Sequence, residues 1–265
     1  MKKNLIASIL LVFSTCWSMN LNAQGEEQTD VVLVEYMKVK PGMMDNYKKC
    51  EKVWKKIHEL RVKEGAITGW ELNEVLFPSG TSAEYDFLTV THYKNWGAMN
   101  EEGIKNWVSY FKTLNKEEQK IADSTEMYRD LVKREIWEAP VRLEPKEGSM
   151  PKYFVENFMN IKEGKWEEWM NMEVDFAMPV HKKNIEKGNL GGWLLTNMLL
   201  PRGAELPYQA STVDIYNTWE DMAKDQGAAW KEVYPEMDWG KIDKKVNSSR
   251  TIVRSEVREV IYFVN

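Results

Sequence analysis

Three histidines occur in the 265 residues, and two of them share a setting. On a wheel of about 100° per residue, Tyr47, Glu51, Trp54 and His58 fall within about 60° of one another. One helix face therefore carries aromatic, carboxylate and imidazole groups together. Trp169, Glu173, Phe176 and His181 form a matching face. An imidazole titrates near neutrality and suits general acid–base work, so His58 and His181 are the candidate catalytic residues. Glu51, Glu173, Trp54 and Phe176 are candidate ligand-binding groups, the two carboxylates as orienters of the imidazoles. The same pattern also fits buried imidazoles bonded to backbone carbonyls, and the sequence leaves both readings open. Trp70 and Trp193 each follow a glycine. They read as pocket walls with glycine admitting a ligand or a backbone close by, or as core packing. Tyr85 and Tyr208 offer phenols to a bound oxygen, or half-buried strand starts. His92 stands outside this pattern, with Ile215 at its matched position, and is expected at the surface or a rim.

Other chemistries lack their signatures. There is no His-x-x-x-His, no paired cysteine and no calcium loop, so no metal site is expected. Neither a Gly-x-Ser-x-Gly elbow nor a glycine-rich phosphate loop occurs, which argues against a serine nucleophile and nucleotide cofactors. Cys50 lies among aromatics at mid-helix spacing and reads as a small buried hydrophobe.

The elements that must position these residues come in two copies. Setting Lys40-Pro41-Gly42 against Lys162-Glu163-Gly164 pairs Tyr36 with Phe158, Glu51 with Glu173 and Trp54 with Phe176 at an offset of 122. One inserted residue then shifts the offset to 123. From His58 to Met99, 14 of 42 positions are identical, including Trp70/Trp193, Tyr85/Tyr208, Thr89/Thr212, Tyr93/Tyr216 and Trp96/Trp219. The match resumes at 121 with Arg129/Arg250, Val132/Val253 and Glu135/Glu256. This is an internal duplication, expected to divide the chain into a first repeat over 24–145, a linker over 146–151 and a second repeat over 152–265.

Each copy reads β-α-β-β-α-β. In the first, Asp30 to Val39 is a β-branched strand, Pro41-Gly42 breaks it, and the stripe Tyr47, Cys50, Trp54, Ile57, Arg61 has helical spacing until Gly65. Ile67 to Phe77 and Tyr85 to Tyr93 read as strands around the Pro78-Ser79-Gly80 turn. Trp96 to Asp123 reads as mostly helical, and Leu131 to Val141 as the last strand. Pro179 falls inside the second copy's first helix and is expected to kink or end it before His181. The order is that of the ferredoxin-like unit, an α+β fold whose sheet has one face bare of helices. Two such units can cover their bare faces against each other.

The strand–"VKPG"–helix opening (Val39 to Gly42, echoed by Ile161 to Gly164) and the strand-ending Tyr93-x-x-Trp96 and Tyr216-x-x-Trp219 resemble the dimeric α/β-barrel superfamily. That group includes antibiotic-biosynthesis-monooxygenase-like and NIPSNAP-type proteins. The resemblance covers nearly all of the chain after residue 23, twice. It implies tandem ferredoxin-like repeats whose sheets pair into one internal α/β barrel, with ligands held between a sheet and its helices. It also implies a function drawn from cofactor-independent monooxygenases, isomerases, haem enzymes or non-catalytic binding modules. Related double-unit barrels of the chlorite dismutase-like and dye-peroxidase-like kinds place a histidine on haem iron, and the small haem-degrading members take it from the second helix. Neither second helix here, Trp96 to Asp123 or Trp219 to Val246, holds a histidine. No cofactor is therefore expected, and a haem would have to use His58 or His181.

Charge and termini bound the setting. With 36 basic and 41 acidic side chains the net charge is −5, which gives no support to a nucleic-acid partner. Lys2 and Lys3, the apolar run Leu5 to Phe13 and the small residue Ala23 read as a signal peptide over 1–23, so a periplasmic or extracellular protein is expected. Phe13-Ser14-Thr15 before Cys16 makes a poor lipobox, which argues against a lipoprotein. Cleavage would leave 34 basic and 41 acidic groups and Cys50 as the one cysteine, with no intrachain disulfide. No later stretch is long and apolar enough to span a membrane. The expected partner is a small apolar or aromatic molecule, with further homo-oligomerisation open.

Overall fold

A computed structural model describes residues 30–104, 107–145 and 151–265. The signal-peptide segment and most of the expected linker lie outside the described residues. The first half runs β1 (Val31–Val39), α1 (Met44–Lys63), β2 (Gly69–Phe77), β3 (Phe87–Tyr93), α2 (Trp96–Ile104), α3 (Trp107–Phe111), α4 (Lys116–Asp123), α5 (Thr125–Tyr128) and β4 (Arg129–Leu143). The second runs β5 (Tyr153–Ile161), α6 (Trp166–Asn171), a π-helical turn (Met172–Ala177), α7 (Met178–Glu186), β6 (Gly192–Leu200) and β7 (Ala210–Tyr216). A 3₁₀ turn (Glu220–Ala223), α8 (Gly227–Val233), α9 (Trp239–Ser249) and β8 (Arg250–Val264) complete it. Gly65 and Gly188 both sit at φ +70°, the left-handed conformation that ends a helix without a Cβ penalty.

The eight strands close into an antiparallel barrel in the order β1-β3-β2-β8-β5-β7-β6-β4, with β4 returning to β1. The halves are joined along strand edges, and their helix-free faces close around one shared interior. β2 pairs with β8, Trp70 opposite Val264, and β4 pairs with β6, Leu143 opposite Trp193. Closure leaves no free edge, which a flat sheet-on-sheet pairing would leave.

Strand alternation then sorts side chains into two layers. Val32, Val34, Tyr36, Leu88, Trp137, Phe158, Met198 and Tyr208 form one buried cluster drawn from both halves, the barrel interior. Val31, Met37, Trp70, Leu72, Phe87 and Tyr93 pack outward with Tyr47 of α1. Met159, Trp169, Trp193, Leu195 and Tyr216 repeat that outer layer in the second half.

Three sequence expectations are modified. The second helical region breaks into α2, α3 and α4, the last started by a capping box between Asn115 and Glu118. Tyr85 precedes β3 rather than opening it. Pro179 does not end its helix. The π-helical turn absorbs the residue that shifted the repeat offset from 122 to 123, and α7 continues from Met178 through Glu186.

Candidate functional site

A cavity of about 340 Å³ lies between α1 and the outer face of the first half's strands, within the size range of small-molecule sites. Helix α1 supplies Glu51, Trp54, His58 and Arg61, which helical spacing stacks on one face. The sheet supplies Leu33, Glu35 and Met37 of β1, Trp70 of β2, Thr89, Thr91 and Tyr93 of β3, and Arg129 and Arg134 of β4. Four residues singled out from sequence, Glu51, Trp54, His58 and Trp70, are thus brought together.

His58 stacks flat on Trp70, with ring centroids 4.3 Å apart and planes at 12°. Its Nδ1 lies 2.5 Å from Arg61 Nη1. A guanidinium only donates, so Nδ1 is the acceptor and the neutral ring carries its proton on Nε2. Burial and then the Arg61 charge hold the imidazole pKa well below its ordinary value, so it is neutral at physiological pH. Arg61 Nη2 also donates to the Tyr93 hydroxyl at 3.2 Å. The resulting histidine is a hydrogen-bond donor toward a ligand, not a base.

The group poised to exchange protons near neutrality is Glu51. Burial pushes its carboxyl up to about 7, against the pull of the Arg129 guanidinium. Trp54 is fixed by donating Nε1–H to Thr125 Oγ1 at 2.8 Å. Cys50 is buried in the same helix, and burial raises its thiol to about 11, which leaves it protonated and unreactive.

The second half holds the counterparts differently. His181 stacks on Trp193 at 4.7 Å and 15°, but Asn184 replaces Arg61 and Asp214 replaces Thr91. Asp214 Oδ1 stands 4.0 Å from His181 Nδ1. Burial lowers His181 to about 4 and, with Glu173 nearby, raises Asp214 to about 7. Glu173 is closed into an ion pair with Arg250 at 3.2 Å. Phe176 turns to the helices, 4.7 Å from Tyr234 and 5.5 Å from Trp230.

Tyr85 and Tyr208 do not join either histidine. They lie on the other side of the sheet, inside the barrel, where Tyr85 donates to Glu256 and Tyr208 to Glu135. The glycines before the tryptophans serve the seams between halves. A Cβ on Gly192 would meet the Leu143 carbonyl oxygen at 2.9 Å, and one on Gly69 the Val264 carbonyl at 3.4 Å. His92 is half-buried with Nε2 3.5 Å from Glu71 Oε1, away from the cavity.

Sequence reasoning did not select Arg61, Arg129 or Arg134. Arg61 shares the helix face three residues past His58, and Arg129 is identical in both copies, so each signal was present.

The pocket does not fit a haem. An axial histidine needs an acceptor at its outer nitrogen, and His58 has the Arg61 donor there. At His181 the neighbour of Nδ1 is an acceptor, Asp214 Oδ1 at 4.0 Å, but the cavity described above is lined by His58 and not by His181. Among the described residues no group of three or more His, Cys, Asp or Glu is placed to hold a metal ion.

No protein-family model and no curated protein sequence matches the chain. Solved structures do match it. A proposed monooxygenase from Fusobacterium nucleatum aligns with TM-score 0.58 and 8% identity over 89% of this chain and 94% of that one. A proposed monooxygenase from Lactobacillus acidophilus gives 0.52 and 7% over 89% and 96%. A mutant chlorite dismutase from Candidatus Nitrospira defluvii gives 0.52 and 7% over 88% and 91%. At such identity the likeness is one of fold: this is an α+β protein with the dimeric α/β-barrel architecture. Among the described residues no helix is long and apolar enough to cross a membrane.

Proposed function

We propose that the chain is an exported small-molecule enzyme of the cofactor-independent oxygenase or isomerase kind, acting on an aromatic carbonyl or enol compound in the α1 cavity. The observation that carries this reading is the convergence of Glu51, His58, Trp54 and Trp70 on one cavity of about 340 Å³. Trp54 and Trp70 give a planar apolar ligand its walls. Glu51, with a pKa near 7, takes the acidic proton from carbon or hydroxyl. The His58 Nε2–H faces the oxygen on which negative charge then develops. This division differs from the sequence expectation, which gave the acid–base role to the histidine. Fold neighbours described as monooxygenases support the oxygenase branch. The basic n-region, apolar run and Ala23 support export, with maturation before Gln24.

The test uses the protein without added metal or flavin. With 1,4-dihydroxynaphthalene, oxygen uptake above background that Glu51→Gln abolishes establishes the oxygenase branch. Solvent deuterium exchange at the carbon next to the carbonyl of 2-tetralone, again lost in Glu51→Gln, establishes the isomerase branch. Binding of both compounds with neither reaction would replace the enzyme by a binding module.

A further inference from the structure

The two halves differ at one pair of identical residues. In the second half Arg250 Nε is 3.2 Å from Glu173 Oε1, and this ion pair joins the strand to the π-helical turn that carries Glu173. In the first half the equivalent Arg129 and Glu51 line the cavity without closing on each other. The Arg129 side chain makes no hydrogen bond or ion pair among the described residues, and its Nε is buried without a partner. A buried guanidinium donor left unmade is costly unless something accepts from it. Of the other cations of the cavity, Arg61 is held by His58 and Tyr93, and Arg134, largely exposed, is held through Nε alone by Glu35 at 2.7 Å. Arg129 is therefore the cation of the cavity with a buried donor left for a ligand to meet.

We infer that Arg129 is the anchor for a carboxylate on the ligand, so that the first half's pocket takes aromatic acids while the Arg250–Glu173 ion pair closes the same position in the second half. The inference rests on the proposed pocket and adds the class of molecule it selects. A guanidinium receives a carboxylate through two parallel N–H···O bonds, which fixes the ring plane as well as the charge. The tryptophan walls then hold the apolar body of the same molecule. A ligand anion on Arg129 would also offset the cation that draws Glu51 downward, which makes Glu51 a stronger proton acceptor in the complex.

Tryptophan fluorescence titrations with 1-hydroxy-2-naphthoate and with 1-hydroxy-2-naphthamide, its uncharged analogue, test this. The full-length mature protein should prefer the acid by about ten- to a hundredfold. Arg129→Met should erase the preference, while Arg250→Met keeps it. If Arg129→Met does not fold, Arg129→Lys serves: losing the fork shrinks the preference severalfold. Equal affinity for acid and amide in the unmodified protein, or a preference that survives loss of the Arg129 fork, overturns the inference and leaves the pocket standing. Binding of neither compound overturns the pocket reading itself, and the inference with it.

Discussion

Tyr85 of the first half donates its hydroxyl to Glu256 of the second at 2.5 Å, and Tyr208 of the second donates to Glu135 of the first at 2.7 Å. Each phenol also accepts from a cation two residues before its own carboxylate partner on the same strand. Arg254 Nη2 donates to Tyr85 and Lys133 Nζ to Tyr208, both at 2.7 Å. The offsets 85/208, 133/254 and 135/256 are those of the sequence repeat. Two cation–phenol–carboxylate relays thus cross the barrel about its pseudo-twofold axis and tie the halves together from within. Burial and the neighbouring glutamates raise both tyrosines far above the ordinary phenol range, so the hydroxyls remain donors at every physiological pH.

Removing either hydroxyl should therefore weaken the fold and spare the pocket. Tyr85→Phe and Tyr208→Phe each forfeit a buried hydrogen bond to a charged group, about 1.5 to 3 kcal/mol. Urea titration should show that loss in each variant, with the midpoint falling further in the double variant. Affinity for a ligand in the α1 cavity should stay within about twofold, because both phenols face the barrel interior. A large loss of affinity without loss of stability would place the tyrosines in the binding site after all.

Glu51 should be held in place against stability. Its native pKa of about 7 lies above the unfolded value near 4.5, so between those values the native state binds more protons. Its contribution is full below about pH 4.5 and is lost as the pH rises through 7. Tyr47, Arg129 and Glu35 are the titratable and charged groups acting on it, and His58 beside it is neutral. Glu51→Gln should match the unmodified protein near pH 4.5 and exceed it at pH 8 by on the order of 2 to 3 kcal/mol. Thermal unfolding across that range checks this, and equal stability at both ends would show that Glu51 is not strained. Sites built for function commonly carry this kind of penalty.

His181 should act with the opposite sign. Its native pKa of about 4 lies below the unfolded value near 6.5, with burial as the cause. The unfolded state binds the extra proton in that window, so stability falls as the pH drops from about 6.5 to 4. Asp214, raised to about 7, faces it and titrates in the counter direction, and Glu173 lies beside Asp214. His181→Gln should flatten the acid limb of the stability curve relative to the unmodified protein. An unchanged limb would assign acid unfolding to other groups.

Much of this was legible in the residues, for identifiable reasons. Strand alternation, the Gly65 and Gly188 stops and the repeat offsets sufficed for the β-α-β-β-α-β order, because each depends on local chemistry. The helix face of Glu51, Trp54 and His58 followed from 3.6-residue geometry alone. What the residues did not reveal depends on contacts far apart in the chain. That the halves also join edge to edge is decided by pairings such as Trp70 with Val264. Tyr85 read as a pocket phenol or a half-buried strand start; with β3 beginning at Phe87 it turns inward toward Glu256, 171 positions away. The inserted residue was visible as an offset, and a π-helical turn was the least disruptive way to house it ahead of Pro179.

Arg61 should decide which nitrogen of His58 carries the proton. With the guanidinium donating to Nδ1, nitrogen-15 spectra of the native protein should show an unprotonated Nδ1 and a protonated Nε2 at pH 7. Arg61→Met removes that donor, so the fixed preference between nitrogens should disappear. The imidazole pKa should also move part of the way back up, since burial persists and only the like charge is gone. If the proposed reaction uses Nε2–H to stabilise charge on oxygen, its rate should fall by about tenfold or more while the fold survives. At His181 the neighbour of Nδ1 is Asp214 rather than an arginine, so the same spectra should show no matching preference for Nε2–H there. Identical tautomers at the two histidines, unmoved by Arg61→Met, would mean that stacking on Trp70 and Trp193 sets the rings alone. The chemistry assigned to His58 would then have no structural basis.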